Sequence, residues 1–324
     1  MVQNMEKPFF CKLTLSDATV LELKGNGELT SAVTKNYIGT CVSAEIGTLC
    51  TSIGEWAFLN FRNLTSINIP SGVKSIGDGA FQGCISMTTC IIDNDSSLTS
   101  IGGAAFYGCR NLTSINIPSG VTSIGGYTFA GCGAMATCTI GNDSIIGSIG
   151  SNAFAGCFSL ISIAIPDSVT KIGAFAFTNC FSLTSISIPN GVTNIDDYAF
   201  NHCRKITNIK IPDSVTSFRT GVLNGCSGLV NVVFGDSIID VPERTCCNCT
   251  SLKNVRIGNS IVRICDNAFA DCESLTSITI PDSVTSIGRN AFKGCKSLTA
   301  VKIQSSTDVH PSAFMGCLHI KISE

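Results

Sequence analysis

Residues 169–189 read VTKIGAFAFTNCFSLTSISIP, and close copies of this phrase recur along most of the 324-residue chain. Its second phenylalanine marks a position that can be followed from copy to copy. Successive copies are 23, 25, 23 and 25 residues apart, then 23 residues apart six times, and finally 22. A fixed period of roughly 20–50 residues is the signature of a solenoid in which each copy forms one coil. The marked position holds Phe58, Phe81, Phe106, Phe129, Phe154, Phe177, Phe200, Leu223, Cys246, Phe269, Phe292 and Phe314.

The pattern within one copy predicts a β-rich coil. In residues 183–188, LTSISI, apolar and polar residues alternate as in a strand with one buried face. Pro189 ends this strand because proline has no N–H to donate to a strand ladder. Residues 190–191, Asn-Gly, predict a turn before a second, shorter extended piece at 192–195. Residues 197–203 are then expected to bring a Phe and a Cys inward on a helical or 3₁₀ turn.

The strand pattern Leu-x-x-Ile-x-Ile-Pro beside Ile-Gly-x-x-Ala-Phe-x-x-Cys resembles the BspA-like leucine-rich repeats of bacterial and protist surface proteins. The resemblance covers roughly residues 49–322. It implies a right-handed leucine-rich repeat horseshoe, with a parallel sheet on the concave face and short strands or 3₁₀ turns on the convex side. The family is associated with attachment to host cells, extracellular-matrix proteins and other microbes. The resemblance therefore implies a cell-surface or secreted adhesin or surface antigen.

The two ends of the chain differ from the repeat. Residues 1–47 are predicted to be an N-terminal capping region, and residues 48–324 a solenoid of about twelve coils. Within the cap, residues 11–15 and 20–23 predict a hairpin that covers the open edge of the first coil. At the other end, residues 319–323 match the strand pattern and leave an edge open. We expect that edge either to be capped minimally by Lys321 and Glu324 or to pair with a second copy.

Cysteine is abundant, with nineteen residues, and its positions favour packing over bridging. Adjacent coils hold parallel Cβ vectors, which disulfide geometry disfavours, so a ladder of buried thiols is predicted. Cys11, Cys41 and Cys50 could still pair near the cap in an oxidising compartment. Cys246 and Cys249 form a single C-x-x-C, which lacks the further ligands of a zinc site, so no metal or cofactor is expected. The ladder comprises Cys84, Cys109, Cys132, Cys157, Cys180, Cys203, Cys226, Cys249, Cys272, Cys295 and Cys317.

No arrangement of residues predicts an enzyme. His202 precedes Cys203, but neighbouring side chains point in different directions and no third group orients them. The pair Asp196-Asp197 could act as acid and base, but a single such pair at a turn is usually solvated. Glycine pairs at the repeat turns lack the following Lys-Ser/Thr of a phosphate loop. A non-enzymatic binding protein is therefore predicted.

Charge and hydropathy exclude several partners. The net charge of −2 gives no reason to expect nucleic acid. No apolar run is long enough to cross a membrane. The N-terminal residues 1–10 do not read as a secretory signal peptide, so a cytoplasmic location stays open beside the cell surface.

Strand alternation identifies the positions that face a partner, namely the second and fourth residues after each strand leucine. In early coils these are mostly Ser, Thr and Asn, and in later coils basic residues join them. Residues 1–200 carry a net charge of −5 and residues 201–324 a net charge of +3. We expect the later coils to bind an acidic protein or glycan surface, and the alternative is an intracellular scaffold for protein–protein interaction. The predicted contact residues are Asn208, Lys210, Asn231, Lys253, Asn254, Arg256 and Lys302.

Overall fold

The computed structural model describes residues 9–93, 95–141, 143–318 and 320–323, without the side chain of Ile322. The residues outside these ranges include Met1 to Pro8 of the segment considered for a signal peptide, His319 of the predicted C-terminal strand and Glu324 of the predicted C-terminal cap. The chain is a parallel-sheet β-solenoid of about twelve turns, which confirms the predicted fold class. It divides into two compact units, Met1–Ile146 and Gly147–Glu324.

Two kinds of strand run through the first unit. The long strands begin with an antiparallel hairpin, β1 (Cys11–Leu15) and β2 (Val20–Leu23), and β1 also pairs antiparallel with β4 (Cys41–Ile46). The parallel long strands are β4 (Cys41–Ile46), β6 (Ser66–Ile69), β8 (Thr89–Ile92), β10 (Ser114–Ile117) and β11 (Thr137–Ile140). The short strands are β3 (Gly27–Leu29), β5 (Cys50–Ile53), β7 (Ser75–Ile76) and β9 (Ser100–Ile101).

The first coil of this unit is atypical. Its turn is replaced by the four-residue helix α1 (Ser31–Thr34), followed by a 3₁₀ turn at Lys35–Tyr37. The Thr34 hydroxyl donates to the carbonyl oxygen of Ala57 in the next coil. Because β3 already pairs in parallel with β5, coil geometry begins before residue 48. The boundary between the capping region and the solenoid, placed between residues 47 and 48, stays a prediction.

The second unit repeats the same plan from residue 208 onward, but residues 183–188, predicted as a long strand, do not form one. Its long strands are β15 (Asn208–Lys210), β17 (Asn231–Val233), β19 (Asn254–Arg256), β21 (Ser277–Thr279), β23 (Ala300–Lys302) and β25 (Lys321–Ser323). Its short strands are β12 (Ser148–Ile149), β13 (Lys171–Ile172), β14 (Asn194–Ile195), β16 (Ser217–Phe218), β18 (Asp240–Val241), β20 (Arg263–Ile264), β22 (Ser286–Ile287) and β24 (Asp308–Val309).

The segment around each repeat Phe is a series of turns, and the expected helical or 3₁₀ turn is wrong for the regular coils. Phe175 and Asn179, two residues before and after Phe177, both have left-handed backbone conformations, with φ of 57° and 60°. Helical continuation stops at such residues. The Phe177 N–H instead donates to the Ala199 carbonyl of the following coil at 2.7 Å. The turns therefore form a third ladder of hydrogen bonds between coils.

The repeat phenylalanines stack as a column in the core. Within the second unit, Phe177 lies between Phe154 and Phe200, with ring centroids 5.2 and 5.5 Å away and nearly parallel planes. The column is interrupted where Leu223 and Cys246 replace Phe. There Phe234, the residue after the long strand β17, packs edge-on against Phe269 at 6.3 Å. An aromatic ring from another position thus fills the space that the two substitutions leave.

Candidate binding surface

The predicted contact residues lie together on the outward face of the long strands in the second unit. Parallel pairing aligns Asn208, Asn231 and Asn254 in one row, here called the amide row. The fourth position after each strand leucine gives a second row, Lys210, Val233, Arg256, Thr279 and Lys302, whose basic members are here called the cation row. The side chain of every residue in the cation row is exposed.

The amide row is an internally hydrogen-bonded ladder, which sequence reasoning did not foresee. Asn254 Nδ2 donates to Asn231 Oδ1 at 2.5 Å, and Asn231 Nδ2 donates to Asn208 Oδ1. Asn208 Nδ2 donates in turn to the Thr207 hydroxyl at 2.8 Å. Each amide nitrogen keeps a second N–H that these bonds do not use, because a primary amide has two donors. The ladder therefore fixes the orientation of the side chains and leaves donors for a ligand.

The cation row is only weakly neutralised by its surroundings. Arg256 lies 3.6 Å from Asp236, with both side chains about half exposed. Within the described part of the chain, Lys210, Lys253 and Lys302 have no carboxylate partner within the 4.0 Å ion-pair distance. Exposed pairs such as Arg256–Asp236 contribute about 0.2–1 kcal/mol and are easily exchanged for a ligand.

A shallow groove of about 410 Å³ crosses this face. It is lined by residues of β17, β19 and β21, including Asn231, Asn254, Arg256 and Thr279, and by Lys253. The groove thus brings two members of the amide row, Asn231 and Asn254, together with Arg256 of the cation row. Sequence reasoning placed these side chains on one face but could not show that they border a common depression.

A second depression, of about 590 Å³, lies on the short-strand side of the same unit. Arg263, Arg289 and His310 line it, together with acidic residues. Arg263 is held by Asp240 through two hydrogen bonds, of 2.9 and 2.6 Å. The sequence signal that would have pointed here is the replacement of Ser by Asp240, Arg263 and Asp308 at the first short-strand position.

The eleven ladder cysteines occupy equivalent positions in successive coils, and all but the partly exposed Cys317 are buried. Their thiols have a hydrogen-bonding role in addition to packing. Cys203 Sγ donates to the carbonyl oxygen of Phe177 in the preceding coil at 3.2 Å, and Cys180 Sγ makes the same contact with Phe154. Burial raises the pKa of Cys180 from 9.0 to about 12, so this thiol is protonated at neutral pH.

The remaining cysteine predictions concern pairing and metal binding. The structure brings Cys11, Cys41 and Cys50 near one another, all buried as free thiols. Burial raises the pKa of Cys11, and the neighbouring Cys50 and Cys41 raise it further. Cys246 and Cys249 are also buried thiols. Among the described residues no group of three or more His, Cys, Asp or Glu side chains could hold a metal ion.

The residues considered for catalysis have structural partners. Asp196 pairs with Lys171 at 2.9 Å, and Asp197 Oδ1 accepts the backbone N–H of Thr220 in the next coil at 2.9 Å. His202 adopts a left-handed backbone with φ of 57° and lies against Gly225. These contacts give the acidic pair a role in joining adjacent coils.

Comparison with known proteins places these features in a family. A model described as a BspA type leucine-rich repeat region, in six copies, matches residues 36–148, 147–275 and 239–323. The chain belongs to the BspA-type leucine-rich repeat family. The repeat pattern that suggested the resemblance is therefore confirmed over most of the chain. Comparison with curated protein sequences gave no match.

Several solved structures share the fold with the BspA-type chain. A leucine-rich cell surface protein from Faecalibacterium prausnitzii is 28% identical, over 96% of this chain and 91% of that one, with a TM-score of 0.56. A leucine-rich repeat protein from Bacteroides ovatus is 26% identical, over 99% and 94%, with a TM-score of 0.63. The pneumococcal vaccine antigen PcpA, 21% identical over 81% and 69% with a TM-score of 0.54, is similar in fold alone.

Family membership supports a binding role. Leucine-rich repeats of this type are typically non-enzymatic scaffolds for protein partners, and their relatives include cell-surface proteins. No helix within the described residues is both long and apolar enough to cross a membrane.

Proposed function

We propose that this BspA-type chain is a cell-surface adhesin or surface antigen. It binds a host protein or glycan, such as an extracellular-matrix protein, through the outward long-strand face of its second unit. The observation that carries the proposal is the alignment of the amide and cation rows on one outward strand face, with Asn231, Asn254 and Arg256 at a common groove. A hydrogen-bonded amide ladder holds its side chains in place before a partner arrives, which lowers the entropy lost on binding.

The binding part of the proposal is tested with purified protein on an array of immobilised matrix proteins and glycans. Replacing Lys210, Lys253, Arg256 and Lys302 together with serine removes the basic groups of this face. Since each exposed charge pair contributes about 0.2–1 kcal/mol, we expect affinity for the bound array member to fall at least about threefold. Affinity of the unmodified protein should also fall as salt is raised, because exposed charges are screened.

A matched control removes the same charge elsewhere. Lys74, Arg219, Arg289 and Lys293 are exposed cations that lie off the long-strand face. Their serine variant should bind as the unmodified protein does. Equal affinity of both four-site variants and the unmodified protein would reject this face as the binding site.

The alternative is an intracellular scaffold for protein–protein interaction. It is favoured by the nineteen cysteines, which are all free thiols. Such thiols are typical of a reducing compartment. Antibody labelling of intact cells separates the two functions, because an adhesin is labelled from outside and a scaffold only after permeabilisation.

Self-association is a further part of the proposal. The last long strand, β25, pairs in parallel with β23. An unpaired strand edge can accept a strand from another chain, so a second copy could dock at β25. Light scattering over a range of protein concentrations should then show a dimer, and a monomer at the highest concentration would contradict it.

A further inference from the structure

The basic residues of the cation row follow an alternating pattern. Lys210, Arg256 and Lys302 occupy every second coil, and Val233 and Thr279 lie between them. All five belong to the second unit. Strands β15, β17 and β19 pair in parallel, as do β21 and β23, and β19 lies beside β21 without strand pairing. The pattern is therefore a row of three cations at a constant repeat of two coils.

The repeat of this row has a definite length. Adjacent parallel strands lie about 4.8 Å apart, so cations on every second strand are about 9.6 Å apart. A polyproline II helix has three residues per turn and rises about 3.1 Å per residue, so residues at every third position recur on one side every ~9.3 Å. The two repeats drift apart by only about 0.6 Å across the whole row, which a flexible lysine side chain can absorb.

Other peptide conformations match less well. In a β-strand, residues three apart lie about 10 Å apart but point to opposite faces, so only every second one could reach the row. In an α-helix, residues seven apart lie on one side at about 10.5 Å, and the mismatch grows to about 1.8 Å across the row. The spacing of the cation row therefore matches a polyproline II helix better than it matches a β-strand or an α-helix.

We propose that the cation row binds an extended acidic peptide in the polyproline II conformation, with Asp or Glu at every third residue. This inference rests on the proposed function, since it names the partner chemistry for the same face. Lys210, Arg256 and Lys302 each pair with one carboxylate. Val233, which is half-buried, and Thr279 contact the peptide between successive acidic residues.

The amide row supplies the second contact. A polyproline II backbone has no internal hydrogen bonds, so its carbonyl oxygens are free to accept. Asn208, Asn231 and Asn254 each keep an N–H beyond those used within the ladder. Amide donors beside a row of cations suit a peptide that offers carbonyls and carboxylates together.

Nearby acidic residues compete with the ligand, and they make the proposal more testable. Asp236 pairs with Arg256, and its Oδ1 also accepts the Asn259 N–H of the next coil at 3.2 Å. An Asp236→Asn variant keeps an oxygen for that bond and removes the competing charge. We expect it to bind an acidic peptide more tightly than the unmodified protein.

The experiment uses the full chain and a labelled peptide of about six Pro-Pro-Glu triplets, which forms a polyproline II helix. Binding is measured by fluorescence anisotropy at low salt. A peptide of the same composition with its glutamates gathered at one end is the spacing control, and a sulfated glycan is the polyanion control. We expect the triplet peptide to bind at least about threefold more tightly than the block peptide.

A charge-conserving variant tests the spacing on the protein side. Exchanging two residues of the row, as Lys210→Val with Val233→Lys, keeps three cations but places two of them on adjacent coils. The exchange should weaken triplet-peptide binding at least about threefold and leave binding of the sulfated glycan unchanged. Circular dichroism and the urea midpoint confirm that the variant is folded.

Two results would overturn the inference. One is equal affinity for the triplet and block peptides, which would mean that only total charge matters. The other is tight binding of the sulfated glycan with none of the triplet peptide, which would assign the row to a glycan. Either result leaves the proposed function standing if the four-site serine variant still loses its array partner. The proposed function itself is contradicted by a different result, namely that the four-site serine variant binds its array partner as well as the unmodified protein does.

Discussion

At the scale of the residue, the ladder cysteines have a reason that hydrophobicity alone does not give. Each ladder thiol whose hydrogen bond is described donates to the carbonyl of the residue at the Phe position one coil earlier, as Cys203 does to Phe177. The Phe177 carbonyl also accepts the backbone N–H of Cys180 at 3.2 Å, so the thiol supplies the second hydrogen bond to the same oxygen. Phe61 stands where the first ladder cysteine would be, and the preceding coil there has a helix instead of a Phe turn.

The stacked phenylalanines give the first prediction. Phe177→Ala removes a ring that is fully buried between two others, and we expect it to lower the free energy of unfolding by about 3–5 kcal/mol. Phe177→Leu is the matched control, because Leu223 fills the equivalent position in another coil. We expect the leucine variant to lose about 1–2 kcal/mol. Urea unfolding measures both, and a near-normal midpoint for Phe177→Ala would contradict the core assignment.

At the scale of the element, the turn around each repeat Phe sets strict limits on its glycines. Gly225 has φ of +68°, and a Cβ there would lie 2.1 Å from the His202 ring. Gly108 has nearly the same φ, +70°, but nothing within 4 Å of the added atom. The two positions therefore separate backbone strain from steric contact.

This contrast gives the second prediction. Gly108→Ala should cost about 1 kcal/mol of stability for the left-handed backbone alone. Gly225→Ala should cost more, about 2–3 kcal/mol, because the His202 ring must also move. Adding His202→Ala to Gly225→Ala should remove the extra loss of stability, so that the double variant unfolds in urea at about the midpoint of Gly108→Ala. Equal losses at the two glycines would show that the His202 contact is unimportant.

Much of the element plan was predictable from sequence, because period and alternation are local signals. The shorter second strand follows from residues 192–195. The long strand predicted at residues 183–188 does not form there, although the equivalent residues of later coils form one, as in β15. The turn was predicted wrongly as helical. The spacing of one Phe and one Cys three residues apart suits a helical turn, and left-handed Phe175 carries no strong sequence signal. Asn179 does carry one, because Gly and Asn favour the left-handed conformation and Gly, Asn or Asp stands at nearly every equivalent position.

The candidate binding surface, too, could be predicted only in part from the sequence. Alternation was sufficient to place Asn208, Lys210 and Arg256 on one side of the sheet. It could not show that the asparagines bond to one another, because that depends on side-chain rotamers across coils. It also did not show the pairing of Asp236 with Arg256, since the aspartate lies in a turn beyond the strand.

At the scale of the whole molecule, buried thiols make stability depend on alkaline pH. The pKa values of Cys138 and Cys180, one in each unit, are raised by burial from 9.0 to about 12. Below pH 9 these thiols are protonated in both the folded and the unfolded chain, so stability does not change. Above pH 9 the unfolded chain loses protons that the folded chain retains, and the free energy of unfolding falls until about pH 12.

The third prediction is the size of that effect. Each such thiol should lower stability by about 1.4 kcal/mol per pH unit above pH 9. Urea unfolding under reducing conditions at a series of pH values measures the slope. Cys180→Ala is the control, because lysine and tyrosine titration is common to both proteins and cancels in the difference. For Cys180→Ala, the free energy of unfolding should fall less steeply with pH, by the contribution of one thiol. Identical slopes for the two proteins would refute the linkage.

The constant offset between bonded partners has a consequence for how such a molecule changes over generations. Nearly every hydrogen bond between coils of the second unit joins residues 22, 23, 24 or 26 positions apart, as for Phe177 with Ala199 and Cys203 with Phe177. If one 23-residue coil were deleted or duplicated, each hydrogen bond would still find an equivalent partner in the next coil. The chain can therefore gain or lose whole coils without losing these bonds. The same event would not be neutral on the surface. Removing residues 212–234 would place Lys210 and Arg256 on adjacent coils. The core contacts would be kept, but the spacing between cations that a ligand contacts would change.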